Sequence, residues 1–206
     1  LNKEITTIVN TLAKRQPGIM GADKYRQSAV LIPLVEVDGE THILFEVRSM
    51  LMRSQPGDIC FPGGRIDPDD QTATYCAIRE TTEELGINED SISNVTPIDY
   101  VVADMGRIIY PFVGTITSID EISPNPAEVE EVFTVPLSYL KQYTPKSFKV
   151  NVHLTPEENF PFDLIVGGEK YNWKTRPIEE LFYKYEDKVI WGLTAKILRH
   201  FVSLID

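Results

Sequence analysis

The chain is 206 residues long, 42% hydrophobic and 25% charged, with a formal charge of −11. Length and composition fit one folded domain whose core needs no covalent staples, and no apolar run approaches the roughly 18 residues of a membrane span. Two cysteines, Cys60 and Cys76, exclude a disulfide framework and favour a reducing compartment, and the acidity counts against a nucleic-acid binder, which needs a basic footprint. The expected localisation is cytoplasmic.

No signal peptide is read at the start. Residues 2–15 place Ile5, Ile8, Val9 and Leu12 at helical intervals among polar side chains, which predicts an amphipathic helix. Residues 28–39 and 40–49, rich in branched apolar side chains and separated by Asp38-Gly39, predict a β-hairpin. A loop through Pro56 and Gly57 leads to a short strand and turn over 58–64. Residues 71–86 carry no proline and no glycine before Gly86, so a helix with a glycine C-cap is expected. Strands follow at 94–104 and 107–117 around a Met105-Gly106 turn, then a polar loop over 118–131 and a strand at 132–135. Pro136 suits the first turn of a helix over 136–142. A strand over 147–155, a hairpin over 161–174 and a helix over 189–205 complete a mixed α/β domain.

The charge is concentrated. Residues 66–131 hold 15 acidic side chains against Arg79 and Arg107 alone, while the segments on either side balance at +1 each. Such an excess usually means a solvated face, but part of it has a spacing that solvation does not explain. At ~100° per residue, Glu80 and Glu84 lie one helical turn apart with Glu83 beside them. Ala73, Cys76 and Ala77 share that side, and Tyr75, Ile78 and Leu85 lie opposite, where packing on a sheet is expected. Like charges so placed repel, and one arginine cannot neutralise three of them. A divalent cation can, and carboxylate oxygens are the ligands that Mg²⁺ or Mn²⁺ prefers. Gly63 and Gly64, just ahead of the helix, allow a tight turn from which a carbonyl can join the metal shell.

Gly64 followed by Arg79-Glu80-x-x-Glu83-Glu84-x-Gly86-Ile87 resembles the Nudix hydrolase signature Gly-x5-Glu-x7-Arg-Glu-U-x-Glu-Glu-x-Gly-U, with U aliphatic. Asp70 stands where the signature has its first Glu, the spacing from Asp70 to Arg79 is one residue longer, and Thr81 replaces an aliphatic residue. The longer spacing is shared by the coenzyme A diphosphatases, whose upstream motif L-L-T-x-R-S-x3-R-x3-G-x3-F-P-G-G-x-x-D is matched as well. Here it reads Leu44-Phe45-Glu46-Val47-Arg48-Ser49, Arg53, Gly57, Phe61-Pro62-Gly63-Gly64 and Asp67; only Phe45 and Glu46 depart from it. With weaker likeness at 128–140 and 190–198, the resemblance covers roughly residues 25–200.

The resemblance implies a Nudix α/β/α sandwich with a mixed β-sheet, a single domain over 1–206 with helices 2–15 and 189–205 added to its core. It also implies attack of water on a diphosphate phosphorus with Mg²⁺ or Mn²⁺ as cofactor. Glu80, Glu84 and the Gly63 carbonyl are then the metal ligands, Glu83 a water-mediated ligand or part of the base machinery, and Arg79 the residue that orients the carboxylates. Glu128 is preferred over Glu130 and Glu131 as general base, although a solvated loop acid is its plainer meaning. Arg48, Arg53 and Arg65 are candidates for the substrate's phosphates, with surface ion pairs as the alternative. The expected partner is a small-molecule substrate of coenzyme A type, split into 4′-phosphopantetheine and adenosine 3′,5′-bisphosphate; no nucleic acid and no membrane is expected, and a homodimer is left open. Alternatives are a diphosphatase for another nucleotide, such as NADH or ADP-ribose, and a Nudix-fold module that binds a nucleotide without cleaving it. Cys60 and Cys76 read as small buried fillers, and His42, His153 and His200 have no metal-ligand spacing.

Overall fold

The β-hairpin expected near the start of the chain is the centre of the molecule. In the computed structural model, which describes residues 2–103, 106–117, 119–173 and 177–206, α1 (Lys3–Ala13) precedes β1 (Arg26–Val37) and β2 (Glu40–Arg48). Asp38 and Gly39 both take positive φ, as a two-residue hairpin turn requires. Short strands β3 (Ile59–Cys60) and β4 (Gly63–Arg65) lead into α2 (Ala73–Leu85). Then come β5 (Ile92–Pro97), β6 (Val101–Ala103), β7 (Arg107–Ile116), β8 (Val129–Pro136) and α3 (Leu137–Gln142). The chain continues through β9 (Lys146–Asn151), β10 (Pro177–Tyr185), β11 (Lys188–Trp191) and α4 (Gly192–Leu204).

β1 pairs in parallel with β7 and antiparallel with β2 and β4; β3 and β8 extend the sheet from β2, and β5 and β6 pair with β7. Side chains alternate across this mixed sheet. Ala29, Leu31, Leu44, Phe112 and Ile116 face α2 with Cys76, Ala77 and Leu85. Ile32, Ile43, Phe45 and Ile109 face the opposite way, onto Leu140 of α3 and Ile197, Leu198, Phe201 and Val202 of α4. Helices therefore cover both faces, as the expected sandwich requires. A second antiparallel sheet, β11-β10-β9, stands beside α4. No helix among the described residues is long and apolar enough to cross a membrane.

Several expectations need correction. The hairpin expected over 161–174 is absent from the described residues: short 3₁₀ turns occupy Phe162–Leu164 and Gly168–Lys170. Pro161, Gly167 and Gly168 break any alternation there, and the hairpin is instead β10–β11, its strands joined at Glu186-Asp187. The terminal helix begins at Gly192 rather than 189, because Lys188–Trp191 pairs with β10. β8 begins at Val129, ahead of the expected 132. The Met105 half of the expected 105–106 turn lies outside the described residues.

The packed face of α2 agrees with expectation at Ile78 and Leu85 and differs from it elsewhere. Tyr75 is exposed, and Cys76, Ala77, Thr81, Glu84 and Leu85 are the buried residues. Small side chains at 76 and 77 bring the helix close to the strands, so the side that carries Glu84 is pressed onto the sheet rather than facing away from it.

Candidate active site

The segment before α2 and the helix itself are tied by one arginine. Arg79 donates from Nε to Asp70 Oδ1 at 2.9 Å and from Nη2 to Asp70 Oδ2 at 3.0 Å, a bidentate pair. The same guanidinium reaches Glu80 Oε1 at 2.9 Å and Glu83 Oε2 at 3.1 Å. The guanidinium thus contacts three carboxylates, and its bidentate partner is Asp70, whose side chain is only 2% exposed. Those hydrogen bonds hold the Asp70 carboxyl well below the usual carboxylate range.

Glu84 is buried, and its Oε2 accepts from the Gly63 backbone N–H at 2.7 Å. Glycine at 63 is a steric requirement, and glycine at 64 leaves the space that the Glu80 carboxylate fills. A Cβ at Gly63 would meet the Ala29 carbonyl, and one at Gly64 would run into the Glu80 carboxylate. Burial pushes the Glu84 carboxyl far up, and the negative charges of Glu46, Glu80 and Glu128 push the same way. Glu80 is raised as well, first by burial; Arg79 opposes the rise, and Glu83 and Glu128 add to it.

Glu46 was not expected here. It sits on β2 with no exposed surface, two residues beyond Leu44, and so projects toward α2. Cys60 Sγ donates to its Oε1 at 3.1 Å, and burial lifts its carboxyl to about 7. One signal was visible beforehand: an acid inside the apolar run of β2, at a motif position where threonine is usual.

The downstream acids separate clearly. Glu128 is half-buried, accepts from Asn125 Nδ2 at 3.3 Å, and faces the carboxylate group closely enough to raise Glu46, Glu80 and Glu84. Its backbone carbonyl accepts from Ser49 N–H at 2.8 Å, which anchors the loop to the end of β2. Glu130 is exposed, and Glu131 pairs with Lys188 at 2.6 Å.

The arginines do not form one cluster. Arg48 lines a cavity of about 480 Å³ with Cys60, Phe61, Trp191 and Lys196. Arg65 lines a separate cleft with Lys24 and Arg26, and Arg107 borders both. Arg53 is exposed and borders neither. Burial raises both cysteine thiols, Cys76 to about 12, so neither is a ready nucleophile.

The donor chemistry fits a hard divalent cation: buried carboxylates with like charge, a glycine cradle that leaves room for Glu80, and a Glu46 Oε2 with no hydrogen-bond partner among the described residues. Among those residues no three His, Cys, Asp or Glu side chains already converge on one point. Glu80 is drawn to Arg79, Glu84 to the Gly63 amide and Glu46 to Cys60.

Residues 25–154 match the model of the NUDIX domain. Nudix hydrolase 3 of Caenorhabditis elegans is 30% identical over 199 residues, covering 94% of this chain and 80% of that protein. The mouse peroxisomal coenzyme A diphosphatase NUDT7 is 39% identical over 111 residues, 54% of this chain and 47% of that protein, so the match spans about half of the mouse protein's length. The human mitochondrial coenzyme A diphosphatase NUDT8 is 29% identical over 188 residues, covering 86% of this chain and 69% of that protein. Among solved structures, a MutT/nudix family protein from Enterococcus faecalis superposes with a TM-score of 0.53 at 11% identity, covering 98% of this chain and 69% of that one, a likeness of fold.

Proposed function

Because this chain belongs to the NUDIX family, we propose that it hydrolyses the diphosphate linkage of coenzyme A or a derivative to 4′-phosphopantetheine and adenosine 3′,5′-bisphosphate. The observation that carries the hydrolytic part is the carboxylate group on α2, with Glu84 buried and bonded to the Gly63 amide, Glu80 filling the space over Gly64, and Arg79 as the guanidinium bound to Glu80. The coenzyme A part is supported by the upstream motif from Leu44 to Asp67 and by the names of the mouse and human relatives.

Glu80, Glu84 and the Gly63 carbonyl would hold Mg²⁺ or Mn²⁺, which when bound polarises phosphoryl oxygens and lowers the pKa of an attacking water. Every other part falls to the chain itself. Glu128 takes a proton from the water that attacks phosphorus; the bridging P–O bond breaks, and each product leaves as a phosphate monoester. Arg79 keeps Glu80 and Glu83 aimed while anchored to Asp70. Arg48, in the cavity beside Cys60, and Arg65, in the cleft with Lys24 and Arg26, are the candidates for the substrate's phosphates. The cytoplasmic assignment rests on the two free thiols, since the mouse and human relatives are peroxisomal and mitochondrial.

Incubation with coenzyme A and Mn²⁺ should release 4′-phosphopantetheine and adenosine 3′,5′-bisphosphate, and Glu84→Gln should abolish release. Faster turnover of NADH or ADP-ribose would overturn the coenzyme A assignment. Tight nucleotide binding without cleavage of any diphosphate would show a binding module.

A further inference from the structure

The strand geometry at the front of the sheet singles out one residue to which the family resemblance assigns no role. On β2, Ile43, Phe45 and Val47 turn toward α3 and α4, whereas Leu44 turns toward α2. Glu46 falls in the second set, so its side chain enters the space beneath the carboxylates of α2. β3 on one side and β8 on the other flank it, in register at Cys60 and Val132, and close it from water. The Cys60 thiol satisfies one oxygen; the other, Oε2, has no partner among the described residues.

A fully buried carboxylate with an open oxygen is costly unless positive charge meets it. The charged groups around this one are Glu84 and Glu80 on α2, Glu128 on the loop before β8, and Arg48 on its own strand. The Arg48 Nε is engaged by the Ser54 carbonyl at 3.3 Å. The buried Glu84 and the half-buried Glu80 and Glu128 thus bring negative charge to bear on a buried carboxylate with an orphaned oxygen, and Arg79, which binds Glu80, is committed chiefly to Asp70. We propose that Glu46 is a further carboxylate of the divalent-cation site, contributing its free oxygen to the ion held by Glu80 and Glu84. The proposal rests on the metal-dependent hydrolysis proposed for this chain. It assigns to this chain a more anionic cation site than one with threonine at the same motif position.

Mn²⁺ binding without substrate, followed by the electron paramagnetic resonance signal of the free ion, tests it on the full chain. Glu46→Gln and Glu46→Thr should each weaken Mn²⁺ binding by about tenfold or more, with circular dichroism unchanged and a metal-free melting temperature equal to or above the parent's. The threonine variant keeps the test usable if glutamine misfolds. Parental affinity in both variants, with affinity lost in Glu84→Gln, would overturn the role of Glu46 and leave the metal reading intact; that outcome identifies Glu46 as a carboxylic acid satisfied by its own proton. Parental affinity in Glu84→Gln as well would overturn the metal reading itself.

Discussion

At Gly64 the side chain of Glu80 occupies the space that a Cβ would need. The far end of Glu80 can swing aside, so Gly64→Ala should fold with nearly the parental melting temperature. Its carboxylate would then be misplaced, and a misplacement of about 1 Å can cost roughly a hundredfold in rate. The expected result is a well-folded variant with turnover down by about that factor, read from steady-state kinetics beside a thermal melt. Arg79, Glu80 and Glu84 were legible in the sequence because their relation is local: one helical period sets it. Glu46 was not, since its meaning depends on Cys60 across one strand pairing and on Glu84 across a layer. Glu128 was preferred among three loop acids, but with a solvated acid as its plainer meaning. Separating it from Glu131 took the Lys188 ion pair on β11.

Helix α2 shows the same division at the next scale. Its stop was readable, with Gly86 closing the helix at φ +63°, while its start falls at Ala73 rather than 71, where the Thr72 side chain accepts from the Tyr75 N–H at 3.0 Å. The partners of its final turn were not readable. The last carbonyls accept from the loop beyond β7, Leu85 from Ser123 N–H and Glu84 from Asn125 N–H, each at 2.9 Å. That loop carries Glu128, so the end of the helix and the candidate base are joined through backbone hydrogen bonds. A Cβ at Gly86 would strike the Ser123 carbonyl. Left-handed backbone alone costs a non-glycine residue about 1–2 kcal/mol, so Gly86→Ala should lose at least about 2 kcal/mol in urea denaturation. Turnover should fall with it as the loop is pushed off. The misread hairpin at 161–174 has a different origin. β10 reads Pro-Ile-Glu-Glu-Leu-Phe-Tyr-Lys-Tyr, without clean alternation, and becomes a strand because β9 and β11 pair on either side of it.

For the whole molecule, opposed carboxyl shifts shape stability against pH. The Asp70 carboxyl is depressed in the fold, so its contribution is present above the unfolded value near about 3.9 and is lost as pH falls through the folded value. Glu84 and Glu46 are raised. Above about pH 4.3 the unfolded chain ionises them first, so this pair lowers stability progressively as pH rises toward the folded values. Metal-free protein should melt higher near pH 5 than near pH 8. Glu84→Gln should flatten the alkaline side of that profile and Asp70→Asn the acid side; an unchanged alkaline slope in Glu84→Gln would contradict the assignment. Divalent cation added at pH 8 should restore the lost stability by binding the folded state. The sequence by itself determined the helix of acids, its glycine approach, its arginine and the mixed α/β class, because each follows from spacing along a few turns or from alternation along a strand. Only the tertiary structure decided which face of that helix is buried, which downstream glutamate meets it, and that Glu46 lies beneath it. Those outcomes depend on β8 pairing beside β2 and on how closely small side chains let α2 approach the sheet, and neither is a local property of the chain.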